Sequence, residues 1–233
     1  MTNATPAEFT IDLTPSGAVT ARHFTSAAAG SPLLVLAHGA GADQRHRWMV
    51  DMARRLSARD VDVVTFNFLY TEQRRRTPDR ASVLEQTWRA VLEGVVQHLE
   101  PSGRVAIGGK SMGGRIASQV LAAQPDTAAW TKVDGLVLLG YPLHPPGQPD
   151  RPRTAHLPAI RVPILLVQGT RDTFGTRSEV EPIFAALKTP VTSEFIEGGD
   201  HGFAVPKSSG RNDADVHDAV ADCIAAWLSA RPN

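Results

Sequence analysis

The stretch RVAIGGKSMGGRIASQV, residues 104–120, holds a Lys-Ser pair between two pairs of glycines. Two readings compete for it. Gly109-Lys110-Ser111 matches the tail of the phosphate-cradling pattern G-x-x-x-x-G-K-[ST], whereas Gly109 to Gly113 is G-x-S-x-G, a serine presented on a sharp turn. The first pattern needs glycine five residues before Gly109, where the chain has Arg104. Its physical requirement also fails, because RVAIG reads as a strand and leaves no loop whose backbone N–H groups wrap a phosphate. The second pattern fits. A short apolar strand runs into the turn and an amphipathic helix runs out, with Met112, Ile116 and Val120 on one face. A chain that reverses so abruptly crowds the positions two residues either side of the serine, and glycine leaves the most room there. The following helix aims its N-terminus at the place where negative charge would develop.

Outward from this turn the same rhythm recurs. LLVLAHG, DVDVVTFNF, VDGLVLLGY and VPILLVQG are short and almost continuously apolar, as strands buried on both faces are. Between them QRHRWMVDMARRLSAR, ASVLEQTWRAVLEGVVQHL and a last segment from Asp213 to Ser229 carry helical periodicity; in the first, Trp48, Met52 and Leu56 share a face. EFTIDLT and AVTARHF, separated by PSG, predict an antiparallel hairpin. This order predicts an α/β protein: a three-layer α/β/α sandwich on a mostly parallel sheet, one domain over residues 1–233. The proline-dense loop PLHPPGQPDRPRTAHLP, residues 142–158, blocks a long helix, so no large lid is expected over the site. HGAGADQ does not complete a dinucleotide-binding fingerprint, since Gln44 stands at the third glycine position.

Length and charge set the outer bounds. At 42% hydrophobic content, 233 residues suffice for one sizeable core. Lysine plus arginine number 24, as do aspartate plus glutamate, so no net field favours nucleic acid or an anionic membrane. No segment approaches bilayer length, and MTNATPAEFT lacks the basic stretch and apolar core of a secretory leader, so a cytoplasmic location is expected. The single cysteine, Cys223, excludes an internal disulfide and any zinc site built on several cysteines. At helical spacing from Val216, Val220 and Trp227 it reads as packing.

LAHGAG, GGKSMGGR, QGTRD and GGDHGF occur in that order. Over about residues 32–228 the chain therefore resembles the α/β-hydrolase fold family, in which such segments serve as oxyanion loop, nucleophile, acid and histidine. Its compact length and GKSMGGR resemble the dienelactone-hydrolase-like branch, in particular a group related to testis-expressed and chromatin-complex hydrolase-like proteins. Dienelactone hydrolases carry cysteine where this chain has serine.

A serine hydroxyl at neutral pH needs a base within hydrogen-bond reach, and that base needs an orienting carboxylate. Of eight histidines, His201 alone follows a late strand, TSEFIEGG, in a short glycine-flanked turn, and it is the expected base. Asp172, directly after VPILLVQGTR, is the expected acid and gives the chain order Ser, Asp, His; Asp200 is too close in sequence to His201 to orient it well. The expected oxyanion donors are the backbone N–H groups of Met112, which heads the helix, and of Ala40 in the small-residue loop, with Gly39 next. The resemblance puts His38 beneath that loop in a structural role.

Three cationic features are assigned bland roles. Lys110 is expected to pair with a nearby carboxylate rather than favour acidic substrates, Arg115 to form a buried or half-buried ion pair rather than hold substrate, and Arg74 to Arg76, at the edge where sites form, to be a solvated basic loop rather than a site for an anionic group. No metal or organic cofactor is called for. Together these readings imply hydrolysis of small ester or thioester substrates, in a shallow pocket walled by Trp48, Tyr70, Tyr141, Phe174 and Phe203. The alternative is a non-catalytic module of the same fold that binds a ligand or protein partner.

Overall fold

A computed structural model of the chain describes residues 5–123 and 125–230. Residues 1–4 of the segment read for a leader, and Gln124 at the end of the helical segment after the serine, lie outside the described residues. The strands are β1 (Ala7–Asp12), β2 (Ala18–Phe24), β3 (Leu33–Ala37), β4 (Asp62–Phe66), β5 (Val105–Lys110), β6 (Val133–Leu139), β7 (Ile164–Gly169) and β8 (Val191–Ile196). They form one eight-stranded sheet in the order β1-β2-β4-β3-β5-β6-β7-β8. The N-terminal hairpin is antiparallel and joins β4 antiparallel, while every pairing from β4 to β8 is parallel.

The helices are α1 (Arg47–Ser57), α2 (Leu69–Glu72), α3 (Ala81–Leu99), α4 (Met112–Ala122), α5 (Arg177–Ala185) and α6 (Asp213–Ala230). Each face of the sheet has its own apolar core. Trp88 and Val91 of α3, Ile116 and Val120 of α4 and Phe184 of α5 pack on one face; Met49, Met52 and Leu56 of α1 and Val216, Val220 and Ile224 of α6 pack on the other. Strands β3 and β7 are buried at every position, which is why their sequences are apolar runs rather than alternations. Helix α1 turns its face one residue from expectation: Met49 is buried, and Trp48 is only half-buried at the margin. Cys223 and Trp227 also lie at the margin of the core, packed against it.

Parallel register sets the place of the site. Ala37 pairs with Gly109, Gly109 with Leu138, Leu139 with Val167 and Gly169 with Ile196, so the chain leaves β3, β5, β6, β7 and β8 along one rim. The loop of residues 142–158 contains no helix longer than the three-residue turn Leu157–Ala159, and the rim carries no helical lid. Among the described residues no helix is long and apolar enough to cross a membrane.

Candidate active site

Ser111 caps α4 with φ 52° and ψ −118°, a left-handed conformation that is rare for a residue with a side chain. Such a conformation costs about 1–3 kcal/mol and persists only where the surroundings impose it. Here the Ser111 N–H donates to the Leu139 carbonyl at 2.9 Å, and the Ser111 carbonyl accepts from Arg115 N–H at 3.1 Å. The flanking glycines are forced by close approach. A Cβ on Gly113 would lie 2.5 Å from the Ala37 carbonyl oxygen, and one on Gly109 would lie 2.6 Å from the Gly113 backbone.

Two other connections bring their side chains to this turn. The imidazole of His201, on the loop after β8, stands between hydroxyl and carboxylate: Nε2 is 2.8 Å from Ser111 Oγ and Nδ1 is 2.8 Å from Asp172 Oδ2. Asp172, on the loop after β7, has no exposed surface. Its Oδ1 accepts from Phe174 N–H at 2.8 Å and its Oδ2 also accepts from Gln168 Nε2 at 2.9 Å. A carboxylate so saturated takes the Nδ1 proton of the imidazole as its remaining donor. The bare Nε2 then faces the hydroxyl, which is the tautomer a general base needs. The His201 side chain keeps 25% of its surface exposed, and Ser111 is half-buried, so both are reachable from solvent. The Phe174 ring lies 4.3 Å from the imidazole. Asp200 shapes the loop instead, its Oδ1 accepting from the N–H groups of Gly202 and Ala204.

Among the described residues, neither the Met112 nor the Ala40 N–H donates to any group. The Ala40 loop lies against the serine, since a Cβ on Gly39 would come within 3.3 Å of Ser111 Cβ. His38 fixes that loop from below. Its Nδ1–H donates to the Gly39 carbonyl at 2.8 Å, and its Nε2 accepts from Phe68 N–H and the Thr71 hydroxyl, each at 3.2 Å. Burial pushes the His38 pKa down, so the ring is neutral and this tautomer satisfies every contact.

Several expectations are corrected. Among the described residues Lys110 has no carboxylate partner; its ammonium donates to the backbone carbonyl of His201. Among the described residues Arg115 forms no ion pair: it donates to Gln119 Oε1 at 3.0 Å, and its Nε has no acceptor there. Burial lowers the guanidinium pKa, and the neighbouring charge of Arg153 lowers it further. Arg75 pairs with Asp79 at 2.7 Å, and Arg74 and Arg76 are exposed, so that loop is solvated as expected. Of the five aromatic walls, Tyr70, Tyr141 and Phe203 are fully buried; only Trp48 and Phe174 reach the surface. Tyr141 turns inward because its hydroxyl donates to the Arg153 carbonyl at 2.6 Å.

Gln168 is the site residue that sequence reasoning missed. Buried in β7, its Oε1 accepts from Tyr141 N–H at 2.7 Å, while its Nε2 donates to Asp172 and, at 2.8 Å, to the Gly175 carbonyl. The signal was present as one amide at the end of the apolar run ILLVQG.

Comparison with known proteins gives a consistent picture. A family model described as an alpha/beta hydrolase domain matches residues 30–229. Among solved structures, the chain is similar to an alpha-beta serine hydrolase homologue from Coxiella burnetii (19% identity, TM-score 0.72, 98% of each chain covered). It is also similar to a dienelactone hydrolase from Anabaena variabilis (17%, 0.73, 99% of this chain and 100% of that one). A third is a lidless serine hydrolase from Xanthomonas campestris (20%, 0.72, 100% and 99%). At such identities these likenesses speak to the fold.

Proposed function

The chain belongs to the alpha/beta hydrolase domain family, and on that premise we propose that it is a serine hydrolase cleaving ester or thioester bonds of small acyl substrates, the whole chain acting as one domain. The observation that carries this reading is the imidazole of His201, 2.8 Å from both Ser111 Oγ and Asp172 Oδ2. In the first half-reaction Ser111 Oγ attacks the substrate carbonyl while His201 Nε2 takes its proton. The imidazolium so formed is held by Asp172. The oxyanion lies against the N–H groups of Met112 and Ala40, each such donor contributing about 2.7–4 kcal/mol to the transition state. His201 then returns the proton to the leaving alcohol or thiol, and water, deprotonated by the same nitrogen, releases the acyl group. Every step uses groups of this chain.

Size preference follows from the rim. With no helix over the site and only Trp48 and Phe174 as accessible aromatic walls, short acyl chains are the substrates that gain most from the contacts present. Rates along a chain-length series of nitrophenyl esters should peak at short chains; a peak at long chains would contradict this. Within the family we place the chain in the dienelactone-hydrolase-like branch, near the testis-expressed and chromatin-complex hydrolase-like group, and in the cytoplasm. The deciding experiment is labelling by a fluorophosphonate probe. Wild-type protein is expected to react and folded Ser111→Ala is not; a wild type that stays unlabelled supports the non-catalytic binding module instead.

A further inference from the structure

We infer that Lys110 is a positioning residue: its half-buried side chain bolts the histidine loop, through the backbone carbonyl of His201, to the strand that runs into the nucleophile turn. The inference rests on the hydrolase reading for its kinetic consequence and on geometry alone for the bolt. Lys110 is the last residue of β5 and the covalent neighbour of Ser111. Ser111 Oγ meets the imidazole of His201, and Lys110 Nζ meets the same residue's carbonyl. Two consecutive residues thus grip His201 at both its side chain and its backbone.

The loop itself does not satisfy that carbonyl. Its internal bonds run from Phe203 N–H to the Asp200 carbonyl, from Asp200 N–H to the Ala204 carbonyl, and from Gly202 and Ala204 N–H to Asp200 Oδ1. Among the described residues Lys110 is the donor the His201 carbonyl has. Space for the ammonium comes from Gly140, at φ 63°, where a Cβ would sit 2.7 Å from Nζ and 3.3 Å from the His201 carbonyl oxygen. Two rings complete the enclosure: Phe203, with its centroid 5.0 Å from Nζ, and Trp48 of α1 at 6.0 Å. One cation therefore touches the turn after β6, the loop after β8 and the helix that follows the oxyanion loop.

Charge makes this contact strong. A hydrogen bond from an ionised donor is roughly twice as strong as a neutral one, and ring faces attract a cation. The charged or titratable groups facing Nζ are Asp172 after β7, and Asp200 and His201 on the histidine loop; both aspartates favour the ammonium. Helix α1 presents the Trp48 ring, and the end of β6 presents Gly140. Helix α6 reaches this region through His217, which packs on Trp48 and is bonded to Asp51, and through Asp213, which lines one cleft with Trp48, Gly202 and Ala204. Burial outweighs the aspartates and brings the Lys110 pKa from its ordinary 10.5 to about 8.

The sign of the effect separates the bolt from unfolding. Between about pH 8 and 10.5 the unfolded chain holds a proton on Lys110 that the folded chain has lost, so this group's contribution to stability rises with pH. Over the same interval the charge-assisted bond to His201 is lost. Activity then falls where this contribution to stability grows.

The test is kcat and KM for a short nitrophenyl ester from pH 6 to 10, on wild type and Lys110→Met. Wild type is expected to lose kcat with a midpoint near about 8. Lys110→Met, folded by circular dichroism, is expected at roughly 10²-fold lower kcat at pH 7, the scale of an ångström of misplacement. Its KM should change little and the alkaline fall should be gone. A folded Lys110→Met with wild-type kcat and the wild-type alkaline limb overturns the inference. If that variant does not fold, Gly140→Ala, which keeps the charge and crowds Nζ, takes its place, with lowered kcat expected and unchanged kcat overturning the bolt. A nitrogen-detected titration of Lys110 in the Ser111→Ala protein decides the geometry whatever the chemistry. The amide shifts of Gly202 and Ala204 follow Lys110 with one midpoint if the bolt exists, and their indifference to it refutes the bolt.

Discussion

At the scale of single residues the site is built from strain and saturation. Ser111 is held at φ 52°, and its release should be measurable. Ser111→Gly is expected to raise unfolding stability by about 1 kcal/mol, the backbone strain less the extra chain entropy glycine loses on folding, while fluorophosphonate labelling disappears. A lower urea midpoint for that variant would mean the serine conformation carries no strain. Gln168→Leu leaves the Gly175 carbonyl and Tyr141 N–H unpaired in the core and frees Asp172 from one donor. Stability should fall by about 1–3 kcal/mol and kcat by about tenfold, read from urea unfolding and ester hydrolysis. The polar residues at strand ends were legible because their neighbours were apolar or glycine. The partner of Lys110 was not, because a backbone carbonyl has no letter of its own, and a charge count points only to other charges. Tyr70, Tyr141 and Phe203 were misplaced for a related reason: an aromatic ring after a strand reads the same whether it lines a mouth or fills the core below it.

Among elements, the decisive contact is helix α4 against the ends of β3 and β5. Gly113 lets the first turn of α4 approach the Ala37 and His38 carbonyls, and its own carbonyl accepts from Trp88 Nε1 of α3 at 3.2 Å. Gly113→Ala must push strand and helix apart. It should cost about 1–3 kcal/mol in thermal or urea unfolding and slow probe labelling at Ser111, because the same displacement moves the Met112 N–H. A variant with unchanged stability and labelling would show that the interface yields freely. Strands and helices were legible from apolar run length against 3.6-residue periodicity, and the hairpin from its PSG turn. The order of strands was not. Nothing in the letters of β2 says that it pairs with β4 rather than β3, since that choice is made by the packing of the whole sheet.

For the whole molecule, buried and half-buried histidines set the response to acid. Burial lowers the pKa of His23, His38 and His156, the last to about 4, and His156 Nε2 lies 2.7 Å from the Ser118 hydroxyl. As pH falls through 6.5 the unfolded chain takes up protons that the folded rings refuse, so stability drops from that point down to about pH 4. Urea midpoints at pH 7 and pH 5 should differ less in His156→Gln, which removes the titration and keeps an amide N–H donor for Ser118 Oγ, whose own proton goes to the Arg115 carbonyl; an equal difference would exclude His156 as a contributor. Finally, the parallel register puts Ser111, Asp172 and His201 on the rim where strands β3, β5, β6, β7 and β8 end, and leaves the opposite rim to connections such as residues 100–104. Those connections close the chain at the end of the sheet away from the candidate site. New termini cut at Ser102, with the old ends joined by a linker long enough to span them, would give a circularly permuted protein in which Ser111, Asp172 and His201 still arrive on intact strand exits.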